Sequence, residues 1–290
     1  VRIEKLFLCW IVRHLSGKAI VIYNEGFWRL YKVSPLSQLK YQPVRLKNYG
    51  NRVKQGLISV VQAPSAQYNV TFEELPNLKY CETDGSGLMV SGHNLPKIAY
   101  LAVLLSWGVS MKLDKVVHLP YMLEKGEQKI AVSVKNTLRT IFDCTIWQCY
   151  FTQYHLLQLG FSFVDHDAMS KSTDQFILVY KTPQVDKETL VFSAKLGDIQ
   201  MVWNGVQDET RTQSEQVKLA YHYIQNHIFE TAMFDVLVCD LTKIKTPKAE
   251  IKINGTVKVK TPEMVNCLFL LLNKMIAEQE NDNIIEIKML

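Results

Sequence analysis

Hydrophobic and polar positions alternate over short runs through much of this chain and fall at three- and four-residue spacing in a few longer ones, so strands and helices can be placed in turn. Lys18 to Tyr23 and Phe27 to Val33 are β-branched and aromatic runs around Asn24-Glu25-Gly26, and read as a hairpin. Val44 to Ile58 reads as a basic helix, weakened by Pro43 and Gly50 and ended by Gly56. The runs Leu57 to Gln62, Tyr68 to Glu73, Leu78 to Thr83 and Leu88 to Ser91 read as short antiparallel strands, with turns at Pro64-Ser65, Pro76-Asn77 and Asp84 to Gly87. Lys97 to Trp107 is unbroken apolar chain after hairpins, which predicts a buried strand.

Val134, Leu138, Ile141, Phe142 and Ile146 mark a helix over Val132 to Cys149, and Leu156 to Val164 reads as a helix end passing into a strand. His166 to Gln175 has Met169 as its one core-forming residue and suggests a domain boundary. Beyond it come strands Phe176 to Lys181 and Leu190 to Lys195, a helical turn around Trp203, and a helix opened by the capping box Thr212-Gln-Ser-Glu215, with Val217, Ala220, Tyr221, Ile224 and Ile228 on one stripe. The pattern predicts an α+β chain of two lobes, 1–168 and 169–290, each a mostly antiparallel or mixed β-sheet with packed helices.

The last stretch is the most informative. Asp235 to Leu241 reads as a strand, Ala249 to Lys260 as a hairpin, and Thr261-Pro262 as the start of a helix. A two-residue Asn254-Gly255 turn would put the apolar residues of the two hairpin strands on opposite faces. A three-residue loop, Ile253-Asn254-Gly255, sets Ile251 against Val257, Ala249 against Val259 and Glu250 against Lys258, and is the register expected. From Met264 to Ile276 the helix is apolar almost all round, with a polar strip at Asn266 and Asn273. Such a helix is covered on both sides, by its own sheet and by something else: a partner chain, or the rest of one large core.

Composition narrows the class. Hydrophobic residues are 48% and charged residues 21% of the 290, as in soluble globular proteins. No apolar run reaches the roughly 18 residues that a membrane helix needs. Arg2 to Val12 has a charged start and an apolar middle, but Arg13-His14 follows where a signal peptide has small residues, so it reads as an edge element. Six scattered cysteines without a C-x-x-C pair read as buried thiols in a reducing compartment. The net charge of +5 is uneven: Val1 to Gly56 holds eleven Lys and Arg against two Glu, a local +9, which leaves −4 for the remainder.

No enzyme motif emerges. His222 and His227 are too far apart around a helix to share one metal, Asp165-His166-Asp167 lacks a marked nucleophile and reads as a solvated linker, and Asp84 to Gly87 lacks phosphate-loop spacing. Cys144 and Cys149 read as core thiols, and neither a cofactor nor a metal is expected. Tyr31, Tyr41 and Tyr49 are interleaved with Arg29, Lys32, Lys40, Arg45, Lys47, Arg52 and Lys54, a mixture suited to gripping phosphates without reading sequence.

Several residues occur in the order of a known family. Trp28-x-Leu30-Tyr31-x-x-x-Pro35-Leu36, then Tyr41, then Leu46-Lys47-x-Tyr49, resembles the N-terminal signature of the centromere protein L family. Phe142-Asp143-Cys144, Glu188 to Val206 with Trp203, and Leu241 to Lys260 with Gly255 are similar to its later segments. The resemblance implies a nuclear, non-enzymatic inner-kinetochore scaffold at the centromere, paired with a centromere protein N homologue through the C-terminal lobe by a sheet and helix interface. It implies further contact with other inner-kinetochore subunits and with centromeric nucleosome and DNA. The residues expected at the partner interface are Ile251, Ile253, Val257, Val259, Leu268, Leu271, Leu272 and Met275, and the basic residues above are those expected to face DNA. The competing expectation is a self-dimerising, sequence-independent DNA-binding clamp of the recombination-associated type.

Overall fold

A computed structural model describes the chain except residues 1–10, 14–18, 24–25, 62–67, 95–96, 110–115, 168, 184–187 and 289–290. The N-terminal segment through Trp10, Asn24-Glu25 and the Pro64-Ser65 turn therefore lie outside the described residues. The fold is α+β, with six helices and antiparallel strands among the described residues, and divides into two compact units, Val1–Cys149 and Tyr150–Leu290.

Unit 1 runs β1 (Ile11–Arg13), β2 (Ala19–Val21), β3 (Trp28–Val33), β4 (Leu36–Ser37), α1 (Pro43–Val61), β5 (Tyr68–Leu75), β6 (Gly87–Asn94), β7 (Lys97–Leu105), β8 (Val116–Val117), β9 (Tyr121–Gly126), α2 (Gln128–Phe142) and β10 (Ile146–Gln148). Its main sheet has the order β10-β3-β9-β7-β6-β5, antiparallel throughout. The expected hairpin of the first two runs does not form: β2 pairs with β1, while β3 takes β9 and β10 as neighbours. Leu46, Tyr49, Val53 and Leu57 of α1 and Ile130, Val134, Leu138 and Phe142 of α2 pack over Val70, Phe72, Leu88, Val90 and Ala102 of the strands. At about 1.5–3 kcal/mol for each large side chain withdrawn from water, this layer is what fastens the two helices to the sheet.

Helix α1 does not stop at Gly56. It runs through Gly50 and Gly56 to Val61, replacing the strand expected from Leu57. The glycines are there for proximity: a Cβ on Gly50 would lie 2.5 Å from the Val70 carbonyl oxygen, and one on Gly56 would lie 2.7 Å from Thr137 Oγ1. The strand expected at Leu78 to Thr83 is a turn, because the buried Asp84 carboxylate gathers the backbone N–H groups of Tyr80, Cys81 and Gly108. Helix α2 ends earlier than expected, at Phe142, where Asp143 adopts a left-handed φ of 46°, and Ile146 to Gln148 form a strand.

Unit 2 runs α3 (Gln153–Asp165), β11 (Gln175–Lys181), β12 (Thr189–Lys195), α4 (Leu196–Val206), α5 (Gln213–Ala232), β13 (Asp240–Lys245), β14 (Ala249–Lys252), β15 (Thr256–Val259) and α6 (Pro262–Lys288). Its sheet has the antiparallel order β12-β11-β13-β14-β15. Helix α3, expected on the N-terminal side of a break at 168/169, belongs to this unit and is helical throughout. Thr152 caps it in a capping box with His155, and every residue from Leu156 to Val164 is buried, Gln158 and Ser162 included, so their alternation with apolar residues marks no exposed strand face. Both partners of the Thr212/Glu215 capping box are in place at the start of α5, and Trp203 of α4 stacks on Phe161, ring centroids 5.0 Å apart.

The hairpin register is the one derived from side-chain matching, Ala249 with Val259, Glu250 with Lys258 and Ile251 with Val257, and Gly255 takes a φ of 74° in the loop. The strand expected at Asp235 begins later. Asp235 Oδ1 accepts from Leu237 N at 2.9 Å and winds Val236–Val238 into a 3-10 turn before β13.

Candidate nucleic-acid interface and partner surface

The basic residues expected to face DNA, all among the described residues, are not equally available. Arg29 is turned into unit 1, where its Nε lies 2.9 Å from Glu124 Oε1. Glu124, fully buried, also accepts from Lys135 Nζ at 2.8 Å and from the hydroxyls of Tyr31 and Tyr100, each at 3.1 Å. Burial, reinforced by this carboxylate, holds both phenols far above their usual pKa. The ammonium of Lys135 is lowered, because the loss of solvent outweighs the attraction of Glu124. Lys32 is half-buried on β3, in register with Trp147 of β10.

Lys40 and the α1 residues Arg45, Lys47, Arg52 and Lys54 are exposed, and none has an ion pair among the described residues. On the helix, Arg45 and Arg52 share one flank and Lys47 and Lys54 the other, a spacing of two turns in each case. The buried stripe Leu46, Tyr49, Val53 and Leu57 lies between those flanks on the inner side. On the outer side, between exposed Val44 and Ile58, stand the amides Asn48, Asn51 and Gln55. Tyr41 and Tyr49, expected to interleave with the cations, face inward: their hydroxyls donate to the carbonyls of Ser86 and Gln38.

The expected partner residues are spent inside the chain. Ile251, Val257, Val259, Leu268, Leu271, Leu272 and Met275 are buried and Ile253 is half-buried. Helix α6 packs on α3 and β15, and between Met264 and Met275 Leu270 is its one exposed apolar residue, at 42%. The second cover inferred for this helix is therefore supplied by the chain itself. What unit 2 leaves uncovered lies elsewhere. Strand β12 is the outer strand of its sheet, with Val191 58% exposed. Helix α5 sits beside it through the Phe192–His227 ring contact, and exposes Tyr223 and Phe229, followed by Met233, Leu237 and Val238. The sequence reading missed these residues; an unmatched apolar position late in an otherwise amphipathic helix was the available signal.

The other chemistry is structural. Asp167 is no solvated linker: it is 2% exposed and its Oδ1 lies 2.7 Å from Lys248 Nζ. His166 Nδ1 lies 2.8 Å from the Ser162 carbonyl oxygen. Burial raises the thiols of Cys144 to about 11 and of Cys149 and Cys267 to about 12, as expected of core cysteines. Among the described residues no group of three or more His, Cys, Asp or Glu could hold a metal ion.

No curated protein matches the chain significantly. The family model of centromere protein L matches residues 22–287, which takes in both units from before β3 to the last turn of α6. The chain therefore belongs to the centromere protein L family, and with it to the subunits of the kinetochore.

Proposed function

We propose that this kinetochore subunit is a non-enzymatic scaffold of the inner kinetochore, paired in the nucleus with a centromere protein N homologue and set with a basic face of unit 1 towards centromeric DNA. The observation that supports the pairing is the open edge of unit 2. An outer strand offers unpaired backbone N–H and C=O groups to another chain, and its exposed Val191 is one of several apolar side chains that unit 2 leaves in water. The interface is a sheet edge with a helix beside it: β12 with Val191, then Tyr223, Phe229, Met233, Leu237 and Val238. The residues first expected there are buried or half-buried in the hairpin and α6. On the DNA side, support comes from five exposed cations, Lys40, Arg45, Lys47, Arg52 and Lys54.

Val191→Asp combined with Leu237→Glu should abolish co-elution with the centromere protein N homologue in size-exclusion chromatography while leaving far-UV circular dichroism unchanged. An intact heterodimer would refute the edge assignment. If the isolated chain instead proves to be a homodimer that binds duplex DNA unaided, the clamp reading prevails.

A further inference from the structure

Helices α1 and α2 meet at Gly56, where the missing side chain lets Thr137 approach, and beside the contact lies an open notch of ≈ 380 Å³. Neither helix contains an acidic residue from end to end. Their exposed cations are Arg45, Lys47, Arg52 and Lys54 on α1 and Lys129 and Arg139 on α2, the latter two absent from the surface read from sequence. Arg52 and Gln55 line the notch from one side and Asn136, Thr137 and Thr140 from the other.

The hydrogen bonds already made decide what the notch can hold. Thr137 and Thr140 donate to the carbonyls of Ser133 and Asn136, so their hydroxyl protons are spent. Asn136 Oδ1 accepts from Arg139 Nη1 at 3.2 Å. A guanidinium can only donate, so the amide atom facing it must be the oxygen, which leaves the Asn136 NH₂ group for the notch. Its open donors are thus the Arg52 guanidinium and the NH₂ groups of Gln55 and Asn136, beside which the Gln55 carbonyl and the threonine oxygens can only accept. A set of donors with positive charge and no nearby acid on either helix suits an anionic oxygen with several lone pairs.

We infer that this notch seats a phosphate of duplex DNA, and that the contact surface is the α1–α2 pair rather than the N-terminal basic stretch alone. The inference rests on the DNA-facing reading above and gives it a location. Between exposed Val44 and Ile58 the outer face of α1 carries amides, which donate to phosphate or sugar oxygens without reading bases; this favours DNA over an acidic amphipathic peptide, which would need apolar seats there.

The test uses the full chain and a labelled mixed-sequence duplex, titrated at several salt concentrations. Asn136→Asp keeps the bond to Arg139 but replaces the donor by a negative charge, and should weaken binding by about ten-fold, the lower end of what a hydrogen bond to a charged group is worth. Asn136→Ala, which only removes the donor, should weaken it less, and Arg52→Gln should lower the slope of log affinity against log salt by about 1. If Lys47→Glu with Lys54→Glu weakens binding but Asn136→Asp and Arg52→Gln do not, the notch assignment is overturned and the basic helix stands. If none of these variants changes affinity or slope, the DNA-facing reading itself falls. Equal affinity for polyglutamate at matched salt, equally sensitive to Asn136→Asp, would assign the notch to an acidic peptide and overturn the proposal.

Discussion

Glutamine at position 124 tests whether the buried charge cluster is held together by its carboxylate. Glu124 is fully buried and is met by four donors: Arg29 Nε at 2.9 Å, Lys135 Nζ at 2.8 Å, and two tyrosine hydroxyls at 3.1 Å. Glu124→Gln keeps the volume but leaves two cations without a counter-charge, and removing one member of a buried pair costs about 3–5 kcal/mol. Lys135→Met is a different perturbation. It leaves Glu124 with Arg29 and both hydroxyls, and it removes an ammonium whose burial Glu124 does not fully offset, as its lowered pKa shows. Its cost should stay below that of Glu124→Gln, because the carboxylate keeps Arg29 as its counter-charge and no buried charge is left unpaired. Urea unfolding followed by hydrogen exchange in β9 and α2 peptides reads the loss where it occurs, in unit 1. The reasoning fails if Lys135→Met costs as much as Glu124→Gln, or if Glu124→Gln costs less than about 1 kcal/mol.

Two further outcomes follow from named contacts. Burial by itself would raise the Asp167 carboxyl, but its hydrogen bonds to Lys248 and Ser170 hold it below the usual range. Its folded pKa is thus depressed, and its contribution is fully present above the unfolded value near 4 and fades as pH falls through the folded value. Asp167→Asn should lower the melting temperature at neutral pH, and the gap to the unmodified chain should narrow in acid; a constant gap across the pH series would refute the ion pair's role. At the helix contact, Gly56→Ala should destabilise the chain, since its Cβ would meet Thr137 Oγ1 at 2.7 Å while that oxygen is bonded to the Ser133 carbonyl. In a Thr137→Ala background the same change should stabilise by up to about 1 kcal/mol through helix propensity, and additive effects in denaturant melts would count against the packing argument.

Elements whose apolar residues face one local partner were legible in sequence. The β14–β15 register followed from matching Ile251 to Val257 and Glu250 to Lys258, and α5 followed from its capping box and single stripe. Reading failed where a residue's reason lies in a distant neighbour. Gly50 and Gly56 look like helix breakers, yet one faces the Val70 carbonyl and the other Thr137, neither of which a local window can see. Leu156 to Val164 carries Gln158, Gly160 and Ser162 at alternate positions, which imitates a strand, yet every residue of the run is buried in α3, so the polar positions mark no exposed face.

The same limit governs the site. A helix apolar on every side states that α6 is covered, not by what, and the residues from Met264 to Met275 find that cover within the chain. An interface has to be sought among side chains that folding leaves wet, and in unit 2 these include Val191 on an outer strand and Phe229, Met233, Leu237 and Val238. Charge behaves likewise. The +9 stretch was visible in sequence, but Arg29 is consumed by Glu124, ninety-five positions away, whereas Lys129 and Arg139 join α1 only because Gly56 brings α2 against it. Which cations can meet a phosphate is thus decided by the pairing of helices, and the count along the chain bounds the net charge alone.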